Sequence, residues 1–298
     1  MKPLVNIIVA VYCAENYIER CLESILSQDY ENWRAIIVND ASTDNSLEII
    51  KKYTGKDRRF TVINNEKNMG VAAARNRALG YIDGEYTAFL DSDDWWEPQM
   101  LSVLVEKAVE LNADIVQCKY RYDYENGYSY EPADIFADGT VLEKQDMKRV
   151  YKLMMTGMRM NHVCMKLYDS GLLLGKTFDE TMKTGEDLVF NIKIMPGVNR
   201  FVYLASPMYH YFRVANGLTG AGLSFWQKWE NNRHISKIMK KELKNTNMNT
   251  LYYSVLVWLR PYKLVFSKIY RMFMDKLLMS RRMKRMGVCD GEENNVKK

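Results

Sequence analysis

Three carboxylates crowd the end of an apolar run in YTAFLDSDDWWEP, residues 86–98. Asp91, Asp93 and Asp94 follow Leu90 within four positions. Like charges this close repel and raise one another's pKa, so the cluster asks for a positive partner. A hard divalent cation such as magnesium or manganese prefers carboxylate oxygens, keeps several waters and is completed by substrate phosphates. One or two protein carboxylates then suffice. The same acids would also suit the capped start of a helix opening near Pro98.

Three familiar uses of such acids do not fit. An EF-hand loop needs an oxygen ligand at position 95 and a glycine at 96, where this chain has Trp95 and Trp96. A phosphatase of the haloacid dehalogenase type carries D-x-D after its first strand, whereas this apolar run is the fourth. A dinucleotide site needs G-x-G-x-x-G after the first strand, and the turn at 11–16 reads VYCAEN, without glycine.

Four further stretches carry reactive groups. IIVNDASTDNS, 36–46, ends an apolar run in Asn39 and Asp40 and then offers helix caps. Capping accounts for Asp44 or Ser46. Asp40 instead falls at a strand edge, where a carboxylate can accept from a nucleobase imide. NMGVAAARNRALG, 68–80, opens a small-residue helix at Gly70. Arg75 shares a face with Val71, Ala72 and Leu79, which gives it a positional role, while Arg77 reads as a surface arginine. TGEDLVFN, 184–191, sets Glu186 and Asp187 at a helix start, where acids are favourable in any case. YHYFRVANGLTG, 209–220, adds His210, Arg213 and Thr219. His210 reads as a packed or surface residue before a metal or supporting group. Asn216 and Gly217 predict a loop that closes over a ligand.

These groups need a frame. Short apolar runs at 4–11, 35–38, 60–63, 86–90 and 115–119 alternate with helical patterns at 17–26, 46–53, 71–81 and 100–111. That alternation predicts an α/β fold with a mostly parallel sheet covered on both faces. Ligands of such sheets bind at the carboxyl ends of strands, where Asp40 and Asp91 fall. Residues 123–140 read as a loop or hairpin. Beyond them a helix is predicted near 186–195, with strands near 201–204 and 208–214.

Composition agrees with a folded chain. Of 298 residues, 47% are hydrophobic and 27% charged, with a formal net charge of +5. The apolar stretch 4–11 is too short to span a bilayer and lacks a cleavage site, so it reads as a first strand. The five cysteines, Cys13, Cys21, Cys118, Cys164 and Cys289, are scattered and form no C-x-x-C pair. They fit a reducing compartment and argue against a disulfide framework or a zinc site. From 251 to 286 the chain turns aromatic, Met-rich and basic, with apolar residues at helical spacing from Tyr262 to Phe273. Such a helix suits an anionic membrane surface, or packs on the rest of the protein with its basic face in solvent. Residues 287–298 read as a disordered tail.

Taken in order, "VNIIVAVYCAENYIERCLESILSQDYENWRAIIVNDASTDNS", "NMGVAAARNRAL", "FLDSDD", "TGEDLVFN" and "YHYFRVANGLTG" resemble glycosyltransferase family 2, over roughly residues 3–220. The resemblance implies the GT-A fold, with a Rossmann-like sheet, and transfer with inversion from a nucleotide-diphosphate sugar with Mn or Mg. It implies that Asp40 contacts the base, uracil by preference, beside Ala10 and Tyr12. Arg75 would lie near the nucleotide, Asp91 and Ser92 at the ribose and Asp93 on the metal, with Asp94 in support. Arg213 would pair with the diphosphate, and Thr219 follows it. Asp187 would be the general base, supported by Glu186. Lys166 matches a recurring basic position without an assigned role. Asn39 and Ala41 stand where the family often has Asp and Gly.

The expected organisation is a catalytic domain at 1–222, with a nucleotide half to about 122 and an acceptor half after it. A helical basic amphipathic extension at 223–286 and the tail follow. The donor is expected to be a UDP-hexose or UDP-N-acetylhexosamine and the acceptor a lipid-linked or cell-surface glycan. The expected location is the cytoplasm, peripheral on the inner face of the cell membrane. A nucleotidyltransferase would carry a Gly-rich basic loop after the first strand, which VYCAENY lacks. A non-catalytic sugar-nucleotide binder is disfavoured by Asp93, Asp187 and Arg213. Nucleic acid is not an expected partner, because the basic tail holds no recognisable module.

Overall fold

The computed structural model describes residues 2–156, 160–182, 184–213 and 224–244. In chain order they form β1 (Val5–Val11), α1 (Ile18–Leu26), β2 (Trp33–Asn39), α2 (Ser46–Lys56), β3 (Phe60–Asn64), α3 (Val71–Leu79), β4 (Tyr86–Asp91), β5 (Trp95–Trp96) and α4 (Met100–Leu111). There follow β6 (Ile115–Tyr124), β7 (Ser129–Tyr130), β8 (Thr140–Glu143), α5 (Met147–Thr156), β9 (Lys166–Asp169), α6 (Glu186–Ile194), β10 (Arg200–Arg213) and α7 (Phe225–Lys244).

One sheet runs in the order β3-β2-β1-β4-β9-β6-β10-β5, with β7 paired to β6 and β8 to β10. The first four strands are parallel, as the alternating pattern predicts. Their apolar runs are buried on both faces: Ile7, Ile8, Val9, Ile36, Ile37, Phe89 and Leu90 are all essentially inaccessible. Each such side chain contributes about 1.5–3 kcal/mol of burial. Register places Ala10 opposite both Val38 and Asp91, and Val11 opposite Asn39. The carboxyl edges of β1, β2 and β4 are therefore level, and the loops leaving them meet.

The other half is less regular than the pattern implies. β9 lies antiparallel between β4 and β6, so the parallel series is interrupted. Four residues of mixed polarity gave no strand signal there. The runs at 201–204 and 208–214 are one strand, β10, bent by register irregularities between Leu204 and Tyr209. α5 and β5 also had no clear signal.

α6 starts at Gly185, which has φ +85°, a left-handed conformation that favours glycine. α7 packs against this start. Asn231 Nδ2 donates to Thr184 Oγ1 at 2.9 Å, His234 Nε2 lies 2.9 Å from Asp179 Oδ2, and Ile235 and Met239 are buried. The first part of the region read as a C-terminal extension thus braces the helix bearing Glu186 and Asp187. The basic stripe after Leu251, and Cys289, lie outside the described residues. Cys21, Cys118 and Cys164 are buried, Cys13 is exposed, and all four are free. No helix among the described residues is long and apolar enough to cross a membrane.

Candidate active site

Asp91 ends β4, and the loop after it is fixed from several sides. Asp94 is 1% exposed, and it accepts from Tyr209 Oη at 2.5 Å and from the Phe212 backbone N–H at 2.8 Å. Burial pushes its carboxyl well above the usual range, and Asp93 and Asp91 add to the shift. Arg20 Nη2 donates to the Asp93 carbonyl at 2.9 Å. Its guanidinium lies 3.7 Å from the Trp95 ring centre and 4.3 Å from that of Phe212. Asp93 is left partly exposed, and burial, with Asp91 beside it, raises its pKa to about 6.

Arg75 is the junction of the site. It is 4% exposed on α3, among alanines small enough to let the helix approach the sheet. Nη2 donates to Asp91 Oδ1 at 2.7 Å, and Nη1 donates to Asp187 Oδ1 at 2.7 Å. Glu186 Oε1 stands 3.5 Å away. Burial opposes the guanidinium charge, but Asp187 and Asp91 outweigh it and its pKa is raised. Asp187 Oδ2 accepts from the Val163 N–H at 3.1 Å. Glu186 has a raised pKa from burial and then from Asp187. Arg75, expected near a nucleotide, has both terminal nitrogens on carboxylates, one of them Asp91, the acid expected at the ribose. It joins the end of β4 to the start of α6.

Asp40 lies deeper than its strand-edge position suggested. It is 2% exposed, not open to the cleft. Its carboxylate accepts from Asn65 Nδ2 at 2.6 Å, from the Met69 N–H, and from the Gly70 N–H at 2.7 Å. Those N–H groups lie at the positive start of α3, a favourable place for an acid. Arg77 is at the surface, as the sequence suggests, and donates to the Asn64 carbonyl at 2.8 Å and to Asn65, so it also supports the same loop. Ala10 is half-buried at the strand edge, and Tyr12 beyond it is 48% exposed. Ser92 is half-buried between the acids. Ala41 has φ +56°, which explains why a glycine suits that position.

Arg213 stands 4.6 Å over Tyr211 and 5.2 Å over Tyr122. Thr219 lies outside the described residues. His210 is packed: its ring nitrogens lie 2.8 Å from Asp123 Oδ2 and 2.8 Å from Glu97 Oε1, and it stacks on Trp95 at 4.7 Å. Lys166 is 2% exposed and donates to the Met160 and His162 carbonyls. Burial lowers its pKa to about 8.

Arg20, His162 and Tyr209 join the site without having been singled out in the sequence. Arg20 sits in a helix pattern that reads as ordinary amphipathic surface. His162 lies in a stretch without periodicity, and its ring meets Tyr211 at 5.8 Å. Tyr209 stood within a quoted motif, and only the pairing of β10 beside β5 brings it to Asp94.

Among the described residues no three His, Cys, Asp or Glu side chains form a ready cation cage. The donor set nevertheless fits a divalent ion completed by substrate oxygens. Asp91 and Asp93 are partly exposed, and burial and then the neighbouring Asp91 charge raise Asp93, a strain that a cation would relieve.

The sequence profile described as Glycosyl transferase family 2 matches residues 6–174. Glycosyltransferase GlyA of Streptococcus pneumoniae is 34% identical over 218 residues, covering 72% of this chain and 31% of that protein. The putative glycosyltransferase EpsH of Bacillus subtilis is 33% identical over 213 residues, covering 70% of this chain and 60% of that one. The chain thus spans less than two thirds of the length of these relatives. A crystal structure of S. aureus TarS residues 1–349 in complex with UDP matches with a TM-score of 0.68 at 25% identity. The match covers 86% of this chain and 70% of that one.

Proposed function

The chain belongs to glycosyl transferase family 2, and on that premise we propose that it is an inverting glycosyltransferase. It moves a hexose or N-acetylhexosamine from a UDP-sugar to a hydroxyl of a lipid-linked or cell-surface glycan. The observation that carries this reading is the acid cluster itself. Asp91, Glu186 and Asp187 converge from the end of β4 and the start of α6 on one buried arginine, and Asp93 stands two residues beyond Asp91.

In this reading Asp187 takes the proton of the acceptor hydroxyl as that oxygen attacks the anomeric carbon. The bond from that carbon to the UDP oxygen breaks on the opposite face, so the configuration inverts. Arg75 and the Val163 N–H fix the plane of the Asp187 carboxylate, and Glu186 supports it. General-base assistance of this kind contributes about 10²–10⁴-fold. Asp93, with Asp91 beside it, would hold a Mn or Mg ion. When bound, that ion acts as a Lewis acid that offsets the charge of the departing diphosphate. Arg213 pairs with diphosphate oxygens, and Thr219 belongs to the loop that follows. Ala10 and Tyr12 line the base pocket. Asp40 shapes that pocket by holding the 65–70 loop, and a direct contact with uracil needs one of its loop donors to be shared. The presence of UDP in the TarS structure supports uridine as the base.

The basic stretch 251–286 would hold the enzyme against an anionic surface, at about 1 kcal/mol per lysine or arginine near it.

The test is UDP release from a panel of UDP-sugars, with manganese or with EDTA, in the presence of a crude lipid-linked glycan extract. Metal-dependent release from one UDP-sugar names the donor. UDP-sugar binding without release on any acceptor favours a non-catalytic binder. Pyrophosphate release from a nucleoside triphosphate favours a nucleotidyltransferase.

A further inference from the structure

One face of the β6–β7–β10 ridge carries a row of tyrosines that leads away from the acid cluster. It begins at Tyr209, whose hydroxyl meets Asp94. Two residues along the same face of β10 is Tyr211, and parallel register sets it opposite Tyr122 of β6. Their ring centres are 5.5 Å apart, and the His162 ring closes on Tyr211 from the α6 side of the cleft. Antiparallel register then sets Tyr130 of β7 opposite Tyr122, with the rings parallel at 6.4 Å. Tyr124 and Tyr128, 5.5 Å apart, extend the row to the tip of the hairpin.

Exposure grows along the row. Tyr209 is buried and Tyr122 and Tyr211 are half-buried, whereas Tyr124, Tyr130 and Tyr128 are 37%, 47% and 58% exposed. Three open tyrosines at the tip of a hairpin form no core. Their only ring partners among the described residues are one another and Tyr122.

We propose that this row is a binding track for an extended glycan acceptor, which lies along the β6–β7 hairpin with its growing end at Asp187. The proposal rests on the glycosyltransferase reading and deepens it, by making the acceptor a chain of several sugars. A tyrosine ring offers a negative π-face to the slightly positive C–H face of a pyranose, and its hydroxyl offers a hydrogen bond. The row reaches the base through the 162–163 loop, where the His162 ring meets Tyr211 and the Val163 N–H donates to Asp187, so a chain on its half-buried inner end stops beside Asp187. Glu125 at the hairpin disfavours an anionic membrane as the occupant. Arg213, over Tyr122 and Tyr211, marks the inner end, where sugar meets diphosphate.

The experiment uses the full chain loaded with UDP and manganese. The probes are size-graded fragments of the host's own cell-surface glycan, made by partial acid hydrolysis. Binding is read by saturation transfer from tyrosine ring protons, for the parent, Tyr128→Ala/Tyr130→Ala and Tyr128→Phe/Tyr130→Phe. The expected result is affinity that rises with fragment length in the parent and in the phenylalanine variant. In the alanine variant the gain from length falls by about tenfold. UDP binding and affinity for the shortest fragment stay unchanged.

Affinity independent of length, equal loss on short and long fragments, or no glycan binding by a protein that binds UDP would each overturn the track. A self-association lost in the alanine variant, without glycan binding, would reassign the surface to a protein contact. Failure to bind UDP would instead count against the proposed function, through a measurement the tyrosine variants do not touch.

Discussion

At the ends of β1 and β2, short polar side chains close two loops on each other. Ser42, Ser46 and Asp44 accept from the backbone N–H groups of Cys13, Ala14 and Glu15 at 2.8–3.0 Å. Across the cleft, the loops at 160–163 and 184–187 are held by charge. Arg75 reaches Asp187 over 112 residues of sequence, and Lys166 is buried under the 160–162 carbonyls. The proposed donor side is therefore held by hydrogen bonds to backbone N–H groups, from hydroxyls and from the Asp40 and Asp44 carboxylates, with no buried cation among them. The acceptor side depends on a few buried ions, each costly to leave unpaired. Damage should be graded and local on the first side, and abrupt on the second.

The sharpest way to break this contrast is Arg75→Met. It strands Asp91, Glu186 and Asp187 together without a counter-charge, and about 3–5 kcal/mol of stability should be lost. Thermal unfolding measures it. A loss under 1 kcal/mol would mean that the junction is not a structural ion cluster.

Lys166→Met probes the second buried ion through pH. Burial depresses the Lys166 pKa from 10.5 to about 8, so between those values the folded state binds fewer protons than the unfolded. Stability of the parent should therefore rise with pH from about 8 to 10.5, by up to roughly 3 kcal/mol. The variant should lack that rise. Parallel pH–stability curves for the two proteins would contradict the buried-ammonium assignment.

Gly185→Ala sharpens the comparison at the start of α6. A Cβ there meets Ile235 Cδ1 at 3.0 Å on a backbone with φ +85°. The expected loss is roughly 1–3 kcal/mol. Acceptor-dependent rate should fall while UDP affinity, measured by calorimetry, holds.

The smallest effect belongs to the donor side. Ala41 is held at φ +56°, so Ala41→Gly relieves left-handed strain but adds chain entropy to the unfolded state. The net gain should be about 0.5–1 kcal/mol, read as a raised denaturation midpoint. A destabilised variant would show that the Ala41 methyl contributes more than the strain it causes.

The same contrast decides what could be read in advance. Apart from β5, the elements from β1 to α4 announce themselves by local pattern, and the apolar spacing of Met100–Leu111 gives that helix its bounds to the residue. The acids at 91–94 were legible because their crowding is local too. Arg75 was singled out in the sequence without its partners, since nothing near position 75 says that they lie at 91 and 187. The burial of Asp40 was not legible because its partners, Asn65 and the N–H groups of Met69 and Gly70, lie some 25–30 residues away. β9 is four residues of mixed polarity that become a strand only by filling the gap between β4 and β6. Tertiary context overrides propensity there.

The most direct test of the account is Asp187→Asn, assayed for UDP release with and without the glycan extract, beside UDP binding by calorimetry. The account predicts unchanged UDP affinity and acceptor-stimulated release reduced by about 10²–10⁴-fold. Acceptor-stimulated release that survives the substitution would contradict Asp187 as the base. Loss of UDP binding along with release would contradict the separation of donor side from acceptor side.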